Sequence, residues 1–190
     1  MEITKIRDIL GNEFAFIFNG INPVLQGLKL EKTAKILDIG TGMGWMAIAL
    51  ALYNFKVITG EPEEDKSRYA KQDWLENVKK AKVDHMVTFI PFNAENMPFE
   101  DDSFDAIFIL GSLHHINDIE TALKESVRIL RINGIICVFE PNNDLIKIIR
   151  QFEHPSHPDP INPKDYARDL DVSFEEIKLK YYDTFIIRKK

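Results

Sequence analysis

A glycine-rich segment at residues 36–44 carries the clearest chemical signal in this chain. An apolar run ends at Asp38-Ile39, and Gly40, Gly42 and Gly44 follow at alternate positions. Glycines permit a sharp bend and let a ligand touch the backbone. A helix that starts after the bend offers free N–H groups and a partial positive charge. The segment therefore predicts a ligand-binding turn between a strand and a helix.

The spacing of these glycines indicates which ligand fits. A dinucleotide fingerprint has its third glycine three residues after the second, but that position holds Trp45, because the third glycine comes early, at Gly44. A tryptophan there would obstruct close helix–strand packing over a pyrophosphate. The carboxylate of Asp38 is unfavourable beside a pyrophosphate and favourable beside an ammonium group. The turn therefore favours a ligand with a charged amino group.

Two groups of histidines could also do chemistry. His114 and His115 follow an apolar run, where a strand end should face the ligand crevice, so either could act as a general base or orient an acceptor; we favour His115 over His114. His154, His157 and Asp159 lie in a proline-rich segment that could suggest metal ligation. The prolines oppose the i, i+4 geometry of a zinc-binding helix, so we expect a surface loop near the substrate mouth and no metal there.

The elements that position these residues follow from periodicity. Short apolar, β-branched runs alternate with longer amphipathic stretches, which indicates βαβ units and a parallel sheet. Expected strands are residues 35–39, 56–59, 86–91, 105–110 and 135–140. Expected helices are residues 45–52, 63–82, 118–131 and 145–152, the third starting at Asn117 and stopping at Asn133-Gly134. Polar and apolar residues alternate over 174–187, which predicts one or two antiparallel edge strands.

Aromatic side chains have expected places in this scheme. Residues 1–30 look helical and carry Phe14, Phe16 and Phe18, which either form a lid over an apolar acceptor or cover the core. Trp45 and Trp74 are expected to pack helices. The buried stripe of the 63–82 helix should comprise Ala70, Trp74, Leu75, Val78 and Ala81.

Composition narrows the class of protein. The chain has 190 residues, a net charge of −6 and a single cysteine. An acidic surface repels phosphates, so nucleic acid is an unlikely partner. Cys137 lies in an apolar run and should be an inert buried thiol in a reducing compartment. Charges in the first ten residues argue against a signal peptide, and no apolar run approaches the ~20 residues of a membrane span. We expect one cytoplasmic domain.

Residues 38–44, Asp-Ile-Gly-Thr-Gly-Met-Gly, resemble the first motif of the class I S-adenosylmethionine-dependent methyltransferases. Four further segments match that family in order, at residues 57–62, 92–99, 103–107 and 128–135. Asn93 replaces the usual Asp, and a single Gly134 replaces a double glycine. The resemblance covers residues 34–141 and implies a doubly wound, mostly parallel Rossmann-like sheet with helices on both faces and a C-terminal antiparallel edge. Residues 1–30 would form a helical cap, and 142–190 the substrate side.

The resemblance also implies ligands and roles. S-adenosylmethionine would be the cofactor and S-adenosylhomocysteine the product. Asp38 would hold the methionine end, Glu61 the ribose hydroxyls, and Asn93 the adenine amino group through its carbonyl oxygen. The expected cofactor-binding residues are Asp38, Gly40, Thr41, Gly42, Gly44, Glu61, Pro62, Asn93, Ala94 and Leu110. Histidines at the position of His114 and His115 are widespread in that family, where they often only pack or hydrogen-bond.

The acceptor is less defined. Residues 111–114 read Gly-Ser-Leu-His and lack the D/N-P-P-Y/F segment of enzymes that methylate base amino groups in nucleic acid. The resemblance is closest to enzymes acting on small molecules, including quinone rings. Two alternatives stay open: an NAD(P)-dependent oxidoreductase, which shares the sheet, the turn and a ribose carboxylate, and a non-catalytic protein that binds the cofactor without turnover.

Overall fold

The computed structural model describes residues 3–65, 70 and 73–190. The chain divides into two units, Met1–Asn93 and Ala94–Lys190. The single domain expected from the sequence stays a prediction.

The first unit is built on a three-stranded parallel sheet. Its strands are β1 (Ile36–Ile39), β2 (Val57–Gly60) and β3 (Val87–Phe89), in the order β3-β2-β1. Its helices are α1 (Ile3–Gly27, broken at Gly11), α2 (Trp45–Leu52) and α3 (Trp74–Lys80). Every β1 side chain is buried, and α2 is buried from Trp45 to Ala51, which explains why both segments are apolar nearly all round. The glycine segment connects these two elements.

Helix α1 contributes aromatic side chains to the core of this unit. Phe14 is fully buried and Phe18 is 6% exposed, with their rings stacked 5.6 Å apart. Phe14 also lies 5.3 Å from the ring of Trp45, whose Nε1 donates a hydrogen bond to Glu13. Phe16 is 41% exposed. Two of the three phenylalanines therefore cover the core, and Phe16 alone faces outward.

The second unit carries a four-stranded mixed sheet. Its strands are β4 (Phe104–Leu110), β5 (Leu130–Pro141), β6 (Val172–Lys178) and β7 (Tyr182–Lys189), in the order β4-β5-β7-β6. Its α-helices are α4 (Ile119–Ile129) and α5 (Asn143–Phe152). Strands β4 and β5 are parallel, whereas β7 pairs antiparallel with β5 and β6. The two predicted C-terminal antiparallel strands are confirmed, and Cys137 is fully buried on β5, where burial raises the pKa of its thiol.

Several predicted boundaries are wrong. Helix α4 starts at an N-cap Asp118, whose side chain accepts from the Thr121 N–H, and not at Asn117. It ends at Ile129, and the supposed stop Asn133-Gly134 lies inside β5, where pairing with β4 begins at Leu130. Asn133 has the left-handed backbone of a stop signal, with a φ of 64°, but it lies in an irregular part of β5 between the paired residues Leu130 and Ile135, four residues after the helix ends.

The second predicted helix is shorter than expected. Within the described residues it spans Trp74–Lys80, while residues 66–69 and 71–72 of the predicted range lie outside them. Val78 and Ala81 are buried as predicted, but Leu75 is 48% exposed, so its place on the buried stripe was wrong. Trp74 stacks on Phe89 at 5.3 Å. None of the described helices is long and apolar enough to cross a bilayer.

Candidate functional site

The turn between β1 and α2 has the backbone that its glycines predicted. Gly40, Gly42 and Gly44 have φ values of 91°, 46° and 80°. Residues with a Cβ adopt this left-handed region only at a cost in conformational free energy, so the three glycines are needed for this path of the chain. The Gly44 N–H donates to the Thr41 carbonyl at 2.7 Å, and the Gly44 carbonyl accepts from Ile48 at the start of α2. We call residues 40–44 the glycine loop.

Asp38 lies buried at the carboxyl end of β1, only 1% exposed. Its Oδ2 accepts a hydrogen bond from the Thr59 hydroxyl at 2.8 Å, and Thr59 in turn lies 2.9 Å from the hydroxyl of Thr41 in the glycine loop. The other carboxylate oxygen, Oδ1, is buried and has no hydrogen-bond partner in the described part of the chain. A buried acceptor without a donor costs about 1–3 kcal/mol, so this oxygen is suited to a donor supplied by a ligand.

Burial also changes the acidity of this carboxyl group. Loss of water around the carboxylate raises the pKa of Asp38 from its ordinary 3.8 to about 8; the Thr59 hydrogen bond lowers it and the negative charge of Glu61 raises it. In the ligand-free protein the Asp38 carboxyl is therefore mostly protonated at neutral pH. A cation beside it would stabilise the ionised form and offset the cost of burial.

Glu61 joins the end of β2 to the glycine loop. It is 6% exposed, and its Oε2 accepts the Gly42 N–H at 3.0 Å. Strands β1 and β2 are in register here, with Ile39 opposite Gly60, so Asp38 and Glu61 come from the same end of the sheet. The structure thus brings together four of the predicted site residues: Asp38, Thr41, Gly42 and Glu61.

Three residues that sequence reasoning did not single out support this site. Thr59 links Asp38 to Thr41, and the Asn77 side-chain amide donates to the Met43 carbonyl at 3.0 Å, anchoring the glycine loop to α3. Gly60 permits close strand approach, since a Cβ there would lie 2.0 Å from the Ile90 carbonyl oxygen. A Thr and a Gly just before Glu61 were visible in the sequence, but nothing local marked Asn77.

The remaining predicted cofactor residues differ in how far they are exposed. Pro62 is half-buried and Asn93 is exposed in the first unit. Ala94 is 7% exposed and Leu110 half-buried in the second. Their roles stay predictions.

The second unit contains a buried histidine–carboxylate pair. His114 lies on a short 3-10 helix (Leu113–His115) that follows β4, and its side chain is 1% exposed. Its Nδ1 lies 2.7 Å from Oε2 of Glu140, a fully buried residue near the end of β5. A carboxylate only accepts hydrogen bonds, so Nδ1 carries the proton and Nε2 is left as the acceptor in neutral His114. The lone carboxylate ending an apolar strand was a usable signal for Glu140 that sequence reasoning missed.

His157 joins this pair from the loop after α5. Its ring centre lies 5.1 Å from that of His114 and 5.2 Å from that of His115, and it is only 5% exposed. The expectation that residues 154–160 form a surface loop is therefore wrong for His157, although its neighbours Ser156 and Pro158 are exposed. Burial lowers the pKa of His157, which favours its neutral form. His115, our first catalytic choice, is exposed.

A strand-to-helix glycine turn with buried carboxylates at two neighbouring strand ends is the arrangement of Rossmann-like α/β proteins. The family model described as "Methyltransferase domain" matches residues 37–138, and the chain belongs to this family. The predicted family is thereby confirmed.

Individual relatives agree with this assignment. The chain is 31% identical to the uncharacterized methyltransferase YcgJ of Bacillus subtilis over 134 residues, which is 65% of this chain and 49% of that protein. It is 36% identical to 27-O-demethylrifamycin SV methyltransferase of Amycolatopsis mediterranei, over 56% of this chain and 38% of that protein. The chain thus spans half or less of the length of these relatives.

Solved structures show the fold. The crystal structure of YcgJ from Bacillus subtilis superposes with a TM-score of 0.71 at 16% identity, covering 90% of this chain and 99% of that one. That of a SAM-dependent methyltransferase from Aquifex aeolicus gives 0.69 at 17% identity, covering 99% and 98%. The predicted Rossmann-like, mostly parallel sheet with an antiparallel C-terminal edge is confirmed.

Proposed function

We propose that this chain binds S-adenosylmethionine at the glycine loop and transfers its methyl group to a small-molecule acceptor, releasing S-adenosylhomocysteine. The observation that carries the proposal is the buried Asp38, which has one carboxylate oxygen without a donor among the described residues and is linked through Thr59 to a loop of three left-handed glycines. The α-ammonium of an amino-acid moiety supplies both the missing donor and the missing positive charge. A diphosphate supplies neither, which disfavours the NAD(P) alternative.

Each residue then has a stated task. Asp38 attracts the ammonium group and, through Thr59 and Thr41, holds the glycine loop in shape. One carboxylate oxygen of Glu61 accepts hydrogen bonds from the ribose hydroxyls, while Oε2 keeps its hydrogen bond from the Gly42 N–H. Pro62, Asn93, Ala94 and Leu110 serve the adenosine portion, as the resemblance implies. The sulfonium supplies an already electrophilic methyl group, so the protein's main contribution is to orient the acceptor; orientation contributes about 7–11 kcal/mol in comparable reactions.

The acceptor class follows from charge and from the relatives. The net charge of −6 disfavours nucleic acid, and related proteins carry names such as 27-O-demethylrifamycin SV methyltransferase and ubiquinone/menaquinone biosynthesis C-methyltransferase UbiE of Rickettsia prowazekii. We therefore propose a small organic acceptor. The cytoplasmic location stays a prediction.

His114 and His115 are the candidates for removing a proton from the acceptor. The geometry favours His114, because Glu140 fixes its tautomer and would stabilise the imidazolium formed when Nε2 accepts a proton. His114→Gln should then lower methyl transfer to hydroxyl acceptors by about 100- to 10,000-fold. His115→Gln and the exposed control His85→Gln should have smaller effects. Equal losses for the His114 and His85 variants would refute this role.

Calorimetry with S-adenosylhomocysteine, S-adenosylmethionine and NAD(P)H in parallel tests the proposed ligand. We expect both adenosyl ligands to bind and NAD(P)H not to bind. Tight NAD(P)H binding, or no binding of either adenosyl ligand, would overturn the proposal. Release of S-adenosylhomocysteine across a panel of hydroxyl, amine and quinol acceptors then distinguishes an enzyme from a protein that only binds the cofactor.

A further inference from the structure

We infer that His114, His115 and His157 form a binding site for one divalent transition-metal ion of the zinc type. One ring nitrogen from each histidine lies within 4.8 Å of the others. Three imidazoles with a fourth position open to water or another oxygen donor are a known ligand set for zinc. All three histidines belong to the second unit, so the inference is independent of cofactor binding at the glycine loop.

The hydrogen bonds around these rings have the arrangement that metal-ligating histidines need. The Nδ1 of His114 lies 2.7 Å from a carboxylate oxygen of Glu140, and the Nδ1 of His157 lies 3.0 Å from the Pro158 carbonyl oxygen. An ionised carboxylate and a carbonyl oxygen only accept hydrogen bonds. Both Nδ1 atoms therefore carry protons, and both Nε2 atoms carry lone pairs. A carboxylate or backbone carbonyl behind the ring is the usual means of fixing a metal-ligating tautomer.

His114 gives a second and independent indication. Its side chain is 1% exposed, yet its Nε2 is buried and has no hydrogen-bond partner among the described residues. The neighbouring His115 and His157 rings have centres 4.2 and 5.1 Å from that of His114. A buried lone pair beside two further imidazoles is satisfied by a metal ion.

The distances require only a small adjustment. Zn–N bonds of about 2.0–2.1 Å in a tetrahedral arrangement place the ligand nitrogens about 3.4 Å apart. The three ring nitrogens lie up to 4.8 Å apart, which exceeds this separation by roughly 1.4 Å. A bound ion would have to draw the rings together over this distance, while the His157 carbonyl is held by the Arg150 guanidinium at 2.9 Å from Nε. A metal ion and a proton compete for the same lone pair of His114, so the base role proposed above belongs to the metal-free protein.

The test uses the whole untagged chain, freed of metal with a chelator and titrated with Co²⁺ under visible spectroscopy, followed by displacement with Zn²⁺. We expect one Co²⁺ per chain with the intense absorption of tetrahedral coordination. His157→Gln and the exposed His115→Gln should each weaken binding by more than about 100-fold, and Glu140→Gln by about 10- to 100-fold. His85→Gln, far along the chain and exposed, should bind as the parent does.

Two results would overturn the inference: a parent protein that binds no stoichiometric Co²⁺, or a His115→Gln variant that keeps the parent's affinity. Because His115 is exposed, its substitution should leave the fold intact, and far-UV circular dichroism checks this for every variant. S-adenosylhomocysteine affinity measured on the same samples distinguishes failure of the metal site from failure of the proposed cofactor site.

Discussion

The charge of Asp38 should control how cofactor affinity changes with pH. Burial raises the pKa of this carboxyl group to about 8, so at acidic pH the ligand-free protein holds a proton that an ammonium ligand must displace. Affinity should therefore rise with pH as the ionised fraction rises. The substitution Asp38→Asn keeps the size of the side chain and removes its charge and its titration.

The size of the effect follows from the ionised fraction. With a pKa of about 8, the fraction of ionised Asp38 is about 1/300 at pH 5.5 and about 1/4 at pH 7.5. The ratio predicts that the affinity of the parent protein for S-adenosylhomocysteine increases about 75-fold over this range. The range stops at pH 7.5, where the α-amino group of the ligand still carries most of its proton and its positive charge.

Isothermal calorimetry at several pH values between 5.5 and 7.5 provides the assay. Asp38→Asn should bind weakly, with an affinity that hardly changes over this range, whereas the exposed control Asp84→Asn should follow the parent curve. If Asp38→Asn has the affinity and pH profile of the parent, Asp38 does not face the ammonium group, and the reasoning from its unpartnered oxygen fails.

Three further predictions concern the same unit. Glu61→Gln should weaken S-adenosylhomocysteine binding by about 10- to 160-fold in calorimetry, because a charged hydrogen-bond acceptor is worth about 1.5–3 kcal/mol. Gly60→Ala should lower the free energy of unfolding by about 3 kcal/mol or more in urea titrations, because a Cβ would lie 2.0 Å from a carbonyl oxygen. For Asp38, a folded-state pKa of about 8 against 3.8 means that the folded protein holds a proton that the unfolded chain has lost. The Asp38 contribution to the free energy of unfolding should therefore fall by roughly 4 kcal/mol from pH 5 to pH 8, measured as the difference between the parent and Asp38→Asn.

Matched variants make these outcomes decisive. Glu64 is exposed in the segment that follows β2, so Glu64→Gln should leave S-adenosylhomocysteine affinity unchanged, and an equal loss in the Glu64 and Glu61 variants would contradict the ribose role. Gly27→Ala places a Cβ more than 4 Å from every heavy atom considered in the described part of the chain and should leave stability within about 0.5 kcal/mol. Equal stability of Gly27→Ala and Gly60→Ala would contradict the close approach. If the stabilities of the parent and of Asp38→Asn change equally from pH 5 to pH 8, the raised pKa of Asp38 is contradicted.

The sequence alone determined the features that depend on neighbours along the chain. Alternating periodicities predicted the βαβ order, and three glycines predicted a sharply bent turn, because backbone preferences are local. Asp38 and Glu61 could be assigned to one site because the carboxyl ends of parallel strands meet at one edge of a sheet. The local signal at Asn133 was assigned to the wrong element, because its left-handed backbone lies in an irregular part of β5 and not at the end of α4.

Only the tertiary structure decided which side chains lose their water and which distant ones meet. The raised pKa of Asp38 arises from burial, which no pattern of neighbouring residues reports. His114 contacts Glu140, which lies 26 residues further along the sequence on β5, and it also contacts His157, which lies on the segment after α5. Such contacts depend on the path of the whole chain, so no single sequence motif could have predicted the histidine cluster.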